Sequence, residues 1–546
     1  MRAGVRGLQL AVGIMTAMAG PESTDQTEVE WQFDATGLAA ASRWLGAAAV
    51  PGYTVTPGPT KHLRDTYYDT ADWRLHHAGF TCRVRDRGGG AELTLKSMAD
   101  PSEAIRTRRE ITEMLPGAGA IAAASGPCAS LIRLAAGPHE LRPLFELRTD
   151  RQTFRLGDAG GDLGEIALDH TAVDRAGGAP ARLDRVEVEV HAGAVERARR
   201  FVGVLVATAG LVPAVASKFE TALAAGGLQV APSHPDVGPT EIRPGMPAAE
   251  VAFAILRRQF GAFLANEAST RLGEDIEGLH DMRVAARRQR AAMSAFAPYL
   301  PPPMARLRME LGHVAAALGA VRDLDVQIER MGEWREGFAE QEAHAFDAIE
   351  RMLVARRDVA RRRMLRVLDS RRYEQFVARY AARLRRGPAR SFAAGRVPIL
   401  AVAPDLLEKR YRRVRKLGDP ITPASPAAAY HLLRIEAKKL RYALEFVGPI
   451  YGKPAIEFSA RVAALQDVLG LHQDAEVAIE MLRETAARNP HRLGPATLLA
   501  MGAIAERYRK HAAELRAQFP SVYRPIGGRE WRRLRATVEA KRPAGQ

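Results

Sequence analysis

A chain of 546 residues is too long for one ordinary hydrophobic core, and 47% apolar with 26% charged residues describes a globular rather than a disordered chain. Its 79 basic and 63 acidic side chains leave a formal charge of +16, which points to an anionic partner. The excess is unevenly placed: residues 1–240 carry a net −3 and residues 241–546 a net +19, so a near-neutral module precedes a polycation.

At the start of the chain, Arg2 and Arg6 precede the apolar run Leu8 to Ala19, which has the look of a signal peptide but is short and broken by Gly13 and Thr16. A disordered tail or a misplaced start over residues 1–26 is the preferred reading. No later stretch approaches the ~20 apolar residues that cross a bilayer. Two cysteines, Cys82 and Cys128, are too few for a disulfide framework or a four-thiolate zinc site. They read as buried thiols in a reducing compartment, and the expected location is cytoplasmic.

From Thr27 to Val190 the sequence alternates like strands cut by Gly, Asp and Pro turns. Glu28, Glu30 and Gln32 share one face while Val29, Trp31 and Phe33 share the other. Thr81 to Arg87 alternates with Arg83, Arg85 and Arg87 on one face, and Gly88-Gly89-Gly90 turns it into Leu93 to Lys96. Further strands are expected at Arg106–Thr112, Gln152–Leu156, Glu165–Asp169 and Arg185–Val190, with helices at Leu38–Ala48 and Val195–Ala209. The polar faces repeat one sign of charge: Glu28 with Glu30, Arg83 with Arg85, Arg106 with Arg108, Glu187 with Glu189. Like charges so spaced repel unless opposite charges or a ligand lie across from them. A solvated outer face is the alternative for any one strand, but the repetition favours a closed barrel with its charges turned inward.

After a Pro/Gly-rich linker near Ala231 to Pro247 the periodicity becomes helical, with a looser break at Arg386 to Pro404. An internal repeat runs through this half without a gap. An offset of 151 places His280 on His431, Arg283 on Arg434, Arg290 on Arg441, Pro298 on Pro449, Leu318-Gly319 on Leu469-Gly470 and Asp323 on Asp474. At 100° per residue His280, Arg283, Arg287 and Arg290 fall within about 80° of arc, and His431, Arg434, Lys438 and Arg441 repeat the pattern. Arg288 and Lys439 widen the two stripes. Guanidinium groups bind phosphate oxygens bidentately, so a row of phosphates matches such a stripe. No histidine or carboxylate stands at i+4 of His280 or His431, so phosphate contact rather than metal ligation is expected of them, with their protonation left open.

These residues resemble a two-domain CYTH–CHAD protein. Glu28-x-Glu30-x-Gln32, Tyr67-Tyr68-Asp69-Thr70, Cys82-Arg83-Val84-Arg85, Thr94-Leu95-Lys96, Arg108-x-Glu110, Ile166-Ala167-Leu168-Asp169, Glu187-Val188-Glu189 and Ser217-Lys218 follow the order of the CYTH domain of triphosphate tunnel metalloenzymes. His280-x-x-Arg283, Leu318-Gly319-x-x-Arg322-Asp323-Leu324-Asp325, His431-x-x-Arg434 through Tyr442 and Leu469-Gly470-x-x-x-Asp474 are similar to the CHAD domain. The resemblance implies a multidomain α+β chain: an eight-stranded antiparallel β tunnel with flanking helices, then an all-α duplicated helical bundle. The boundaries expected are CYTH 27–228, linker 229–246, CHAD 247–520 with repeats at 247–385 and 404–520, and a basic tail at 521–546.

It also implies roles. Glu28, Glu30, Glu187, Glu189 and Asp169 would hold Mg²⁺ or Mn²⁺. Arg83, Arg85, Lys96, Arg108, Arg151 and Lys218 would hold the phosphates, and Glu28, Glu30, Lys218, Arg83 and Arg85 are the residues expected to carry catalysis. The helical half would bind long-chain polyphosphate through His280, Arg283, Arg287, Arg290, His431, Arg434, Lys438 and Arg441. The activity implied is metal-dependent hydrolysis of tripolyphosphate to diphosphate and phosphate. The alternatives are a non-catalytic polyphosphate-binding or granule-associated protein, and an adenylyl cyclase or nucleotide triphosphatase. Nucleic acid is disfavoured, because the stripes lack interleaved aromatics and no base-reading motif is visible. Three positions depart from the family pattern: Gln32 stands in place of a lysine, Arg185 in place of an acid, and His170-Thr171 where a glycine turn is expected.

Overall fold

The structure is a computed structural model that describes residues 23–47, 50–98, 105–117, 119–173, 181–336, 344–389, 391–489 and 493–543. Most of the expected tail lies outside the described residues; its last four residues, 23–26, instead open the first strand. The chain divides into two compact units, one ending at Ser233 and including Ala268–Asp275, the other holding His234–Glu267 and continuing from Ile276. Among the described residues no helix is long and apolar enough to cross a membrane.

In the first unit the strands are β1 (Ser23–Ala35), β2 (Tyr53–Thr70), β3 (Phe80–Asp86), β4 (Ala91–Ser97), β5 (Ile105–Leu115), β6 (Leu141–Asp158), β7 (Gly161–Val173) and β8 (Ala181–Val190). They run in the order β5-β4-β3-β2-β6-β7-β8-β1, every pairing is antiparallel, and β1 pairs back onto β5. The ring therefore closes. Strand β1 closes it by serving two neighbours, with Ser23–Trp31 against β5 and Val29–Ala35 against β8. A two-residue strand, β9 (Val212–Pro213), also lies against β1.

The alternation puts the apolar faces outside this ring and the charged faces inside. Val29, Trp31 and Phe33 pack with Ile166, Leu168, Val186 and Val188 beneath α1 (Ala39–Ala47) and α3 (Val195–Ala209), through Leu45, Phe201 and Leu205. A second cluster joins Cys82, Val84, Leu93 and Leu95 to Cys128 and Leu131 of α2 (Pro127–Ala136), so both thiols are buried and free. Each large side chain buried this way contributes roughly 1.5–3 kcal/mol. Strand β2 and helix α2 have no counterpart among the sequence-based expectations. The Pro57-Gly58-Pro59 run and the exposed first half of β2 hide its alternation. The turn expected at His170-Thr171 is not one: β7 continues to Val173, His170 pairs with Asp184 and Thr171 with Thr149. After the barrel comes α4 (Lys218–Gly226). Ser217 Oγ accepts from the Glu220 amide at 3.2 Å and Glu220 Oε2 accepts from the Ser217 amide at 2.7 Å, a reciprocal cap that fixes where this helix begins.

The second unit contains α5 (Ala248–Ala265), α6 (Ile276–Ala295), α7 (Pro303–Arg335), α8 (Asp347–Leu368) and α9 (Arg371–Arg386). These are followed by α10 (Ile399–Gly418), α11 (Ala427–Tyr451), α12 (Lys453–Arg488), α13 (Pro495–Tyr523) and α14 (Arg529–Ala540). The offset of 151 carries the starts of α5 and α6 onto those of α10 and α11 without error, and the start of α7 to within one residue of α12. Equivalent residues also meet: Pro247 bridges Pro398, the Ala248 amide donates to Val397 O at 2.8 Å, and the Ile399 amide donates to Met246 O at 3.0 Å. Two expectations change here. Pro404 lies inside α10 rather than in a break, and residues expected as a basic tail form α14, whose Trp531, Leu534 and Val538 join the core.

Closure of the barrel depends on Gly164, whose φ of +151° and lack of a side chain let β7 approach β8. A Cβ there would meet the Glu189 carbonyl oxygen at 2.0 Å. Gly164→Ala is expected to destabilise the chain by about 1–3 kcal/mol, read as a lower midpoint in urea unfolding.

Candidate functional site

The inward faces of the barrel enclose a cavity of about 380 Å³, lined by eight cationic and eight acidic side chains among its residues. The register explains why the like charges tolerate one another. Glu28 lies opposite Arg108, Lys96 opposite Glu110, and Arg151 opposite Asp169. Every side chain expected to hold phosphate lines the cavity: Arg83, Arg85, Lys96, Arg108, Arg151 and Lys218. So do Glu28, Glu187, Glu189 and Asp169; Glu30, 2% exposed, lies beside it through Arg108 and Gln32.

These groups are already paired. Arg151 donates to Asp169 at 2.7 and 2.6 Å and to Glu187 at 2.8 Å. Lys218, delivered by the first turn of α4, contacts Asp169 and stands 3.0 Å from Glu187. Lys96 contacts Glu28 and lies 3.3 Å from Glu110, and Arg108 contacts Glu30. Arg85 forks onto Asp65 at 2.7 and 2.8 Å, while Arg83 donates to Thr94 at 3.1 Å. Gln32 donates its amide to Glu30 at 3.0 Å and Glu187 at 3.2 Å. Sequence reasoning missed Asp65, because β2 hid its strand pattern, and gave Glu110 no role although the Arg108-x-Glu110 motif contains it.

The carboxylates are not equivalent. Burial alone would raise Glu187, but Lys218, Arg151 and Lys96 hold it well below the usual range. Glu189 goes the other way, pushed up to about 6 by burial and by the like charge of Glu28, although its side chain keeps contact with solvent. Among the described residues no group of three or more His, Cys, Asp or Glu is arranged to hold a metal ion. Asp169, fully buried, has both oxygens on cations. Glu189 and Glu28, mutually repelling, fit a hard cation that draws one or two carboxylates and completes its shell with phosphate oxygens and water.

In the helical unit the two cationic stripes converge. Helices α6 and α11 touch, and Arg287 donates to Tyr442 Oη at 2.6 Å with its guanidinium over the ring. Arg288 of the first repeat and Arg441 of the second share Glu445, at 3.2 and 2.8 Å. Arg283 pairs with Asp323 at 3.0 Å. Lys438 is pushed down to about 8, by burial first and then by Arg287, Arg434, Arg283 and Arg441. Four arginines from both repeats thus press on one lysine. Arg290 runs beside Gly312 of α7. His431 bonds Gln473 at 2.6 Å, and His280 Nδ1 is buried without a partner among the described residues.

Family models match the chain twice, CYTH domain over residues 27–203 and CHAD domain over residues 254–483. The chain carries a CYTH domain and a CHAD domain. A search of curated proteins found no significant match. Among solved structures, the CHAD domain from the plant Ricinus communis is 24% identical with a TM-score of 0.42, over 57% of this chain and 98% of that one. A Hippeastrum protein, named as a candidate adenylyl cyclase with a dominant triphosphatase activity, is 18% identical with a TM-score of 0.26, over 37% and 97%. The Pct1 RNA triphosphatase of S. pombe, in complex with the Spt5 CTD, is 14% identical with a TM-score of 0.19, over 38% and 90%.

Two departures from the CYTH pattern find a physical setting. Gln32 supplies two neutral donors where a lysine would supply a charge. Arg185, fully buried, pairs with Asp34 at 2.7 Å and does not line the cavity. The raised Glu189 gives the CYTH domain a pH signature. A carboxyl raised from 4.5 to about 6 favours the folded state fully below 4.5 and loses that advantage as pH rises through 6. In EDTA, Glu189→Gln should match the parent in urea midpoint below pH 4.5 and exceed it above pH 6, by under about 1 kcal/mol because solvent screens the site. Equal midpoints at every pH would remove the like-charge assignment.

Proposed function

We propose that the CYTH domain is a metal-dependent inorganic triphosphatase, cutting tripolyphosphate to diphosphate and phosphate, and that the CHAD domain binds long-chain polyphosphate. The observation that carries the first part is the cavity of about 380 Å³ inside the closed ring of strands, with eight cations among its lining residues. A polyphosphate replaces part of the internal carboxylate partnership: Arg151 and Lys218 exchange Glu187 for phosphate oxygens, while Asp169 keeps both cations in place. Arg83, Arg85, Lys96 and Arg108 take the remaining oxygens and stabilise the charge that spreads over the transferred group. Glu189 and Glu28 would hold Mg²⁺ or Mn²⁺, which would supply charge neutralisation at the phosphate oxygens. Water is the attacking group, so no side-chain nucleophile is required.

One observation favours a binding-only CYTH domain: Gln32 leaves Glu187 and Glu30 without a lysine between them. Phosphate release decides between these readings. Hydrolysis of tripolyphosphate with Mn²⁺ should exceed an EDTA control, fall about a hundredfold or more in Arg151→Ala, and rise in Gln32→Lys. No release above EDTA would leave the CYTH domain a binding module.

The second part of the proposal is carried by the convergence of both stripes on Lys438. Arg283→Glu combined with Arg434→Glu should abolish binding of long-chain polyphosphate in a gel-shift or calorimetric assay while tripolyphosphate hydrolysis persists. Loss of hydrolysis as well would show that the two domains do not act independently.

A further inference from the structure

The two halves of the CHAD domain share their helices but differ in chemistry at one place. In the second half, His431 Nδ1 and Gln473 Oε1 form a closed pair at 2.6 Å. The offset of 151 carries His431 onto His280 and Gln473 onto Arg322. An arginine has donors only, so Arg322 cannot offer the acceptor that Gln473 offers. Among the described residues His280 Nδ1 and Arg322 Nη1 are accordingly both buried without a hydrogen-bond partner, and Arg322 is only 8% exposed. A buried guanidinium nitrogen without a partner is rare in native structures, and an ordered water or a bound ion is the usual explanation.

The surroundings separate those two explanations. Asp325, one turn along α7 from Arg322, is taken by Arg357 of α8 at 2.5 Å, and its Oδ2 is buried and unpaired. Arg335 faces Asp347 as Arg357 faces Asp325, an antiparallel register in which Arg361 faces the turn that carries Arg322. Burial and the neighbouring Arg357 push Arg361 down to about 10. In the second half Glu476, the counterpart of Asp325, is taken by Arg516 at 2.9 Å, which also donates to His472 at 3.0 Å. Both halves therefore hold an arginine on that carboxylate, and what sets the first apart is the extra buried charge of Arg322 where the second has the neutral amide of Gln473. Water satisfies a donor but does not offset charge; an anion does both.

We propose that the first half of the CHAD domain holds a discrete site for one terminal phosphoryl group, bracketed by His280 Nδ1 and Arg322 Nη1, and that the second half has no counterpart. An anionic oxygen between the two atoms accepts from both, as Gln473 Oε1 serves His431. The inference rests on the polyphosphate reading of the domain and adds a polarity to it: one chain end is gripped at His280 and Arg322, while internal phosphates lie along Arg283, Arg287 and Arg434.

The repeat itself supplies the test. Inorganic diphosphate is titrated calorimetrically into the full chain, in EDTA and on an Arg151→Ala background that weakens the tunnel's own contribution. Arg322→Gln, which copies the second half, should weaken the binding about ten- to hundredfold, the loss of one charged hydrogen bond. Gln473→Arg, which copies the first half, should add a second, weaker site. Unchanged binding in Arg322→Gln overturns the proposal and leaves only water at the site. Should that variant fail to fold, a stoichiometry unchanged by Gln473→Arg overturns it instead. Long-chain polyphosphate titrated into the parent keeps the two readings apart. If it binds while Arg322→Gln is silent, the end site falls and the polyphosphate reading stands; if only diphosphate binds, and Arg322→Gln weakens it, the reverse holds.

Discussion

The barrel depends on ion pairs formed across its own lumen. Its apolar faces look outward, so its interior is filled by eight acids and eight cations that have to neutralise one another. Removing a charge from water costs several kcal/mol unless a partner and further hydrogen bonds compensate. Arg151, with Asp169 in front and Glu187 beside it, and Lys218, reaching the same two acids from α4, meet that condition most fully. The rest of the domain follows from this inversion. Helices α1, α2 and α3 lie outside because the core is there, and α4 begins at a reciprocal cap because its first residue is needed inside. A ligand entering this lumen meets partners to be exchanged.

The helical unit applies the same electrostatics with the opposite balance. Among the described residues acids reach the stripes and their flanks as Asp323, Glu436 and Glu445, the last shared between repeats. Among the described residues Lys438 has no acidic partner, and the strain shows in the lowered proton affinity of its amine. A surface that crowds cations with few acids is incomplete in the way the lumen is not, and a polyanion completes it with fewer internal pairs to break.

Much of this was legible in the sequence, and what was not has identifiable causes. Alternation marked β1 and β3 because each has one apolar face against helices, and β5 through its repeated Arg106 and Arg108. Strand β2 was invisible: its first half is exposed on both faces, and prolines interrupt the run. Asp65 went unseen with it. The repeat was legible because duplication preserves register, and the helix starts follow it closely through α12. Helix α14 was missed because arginines dominate its sequence and only Trp531, Leu534 and Val538 face the core. The different states of Glu187 and Glu189, two residues apart on one strand, could not be read from spacing. They arise from which side chains other strands and α4 bring beside each.

The bridge at Pro247 and Pro398 has a consequence for how the helical unit came to be one chain. Each repeat gives one amide and receives one, so the bond pattern is that of a two-fold axis between identical partners. Half-length ancestors would have had to find each other in solution, at whatever concentration the cell held. The segment joining α9 to α10 turns that meeting into an intramolecular one, at an effective concentration on the order of millimolar for a short tether. Freed from the need to pair with a copy of itself, each half could then change without the other, and the divergence of Arg322 from Gln473 is a change that a symmetric dimer of one sequence could never have held.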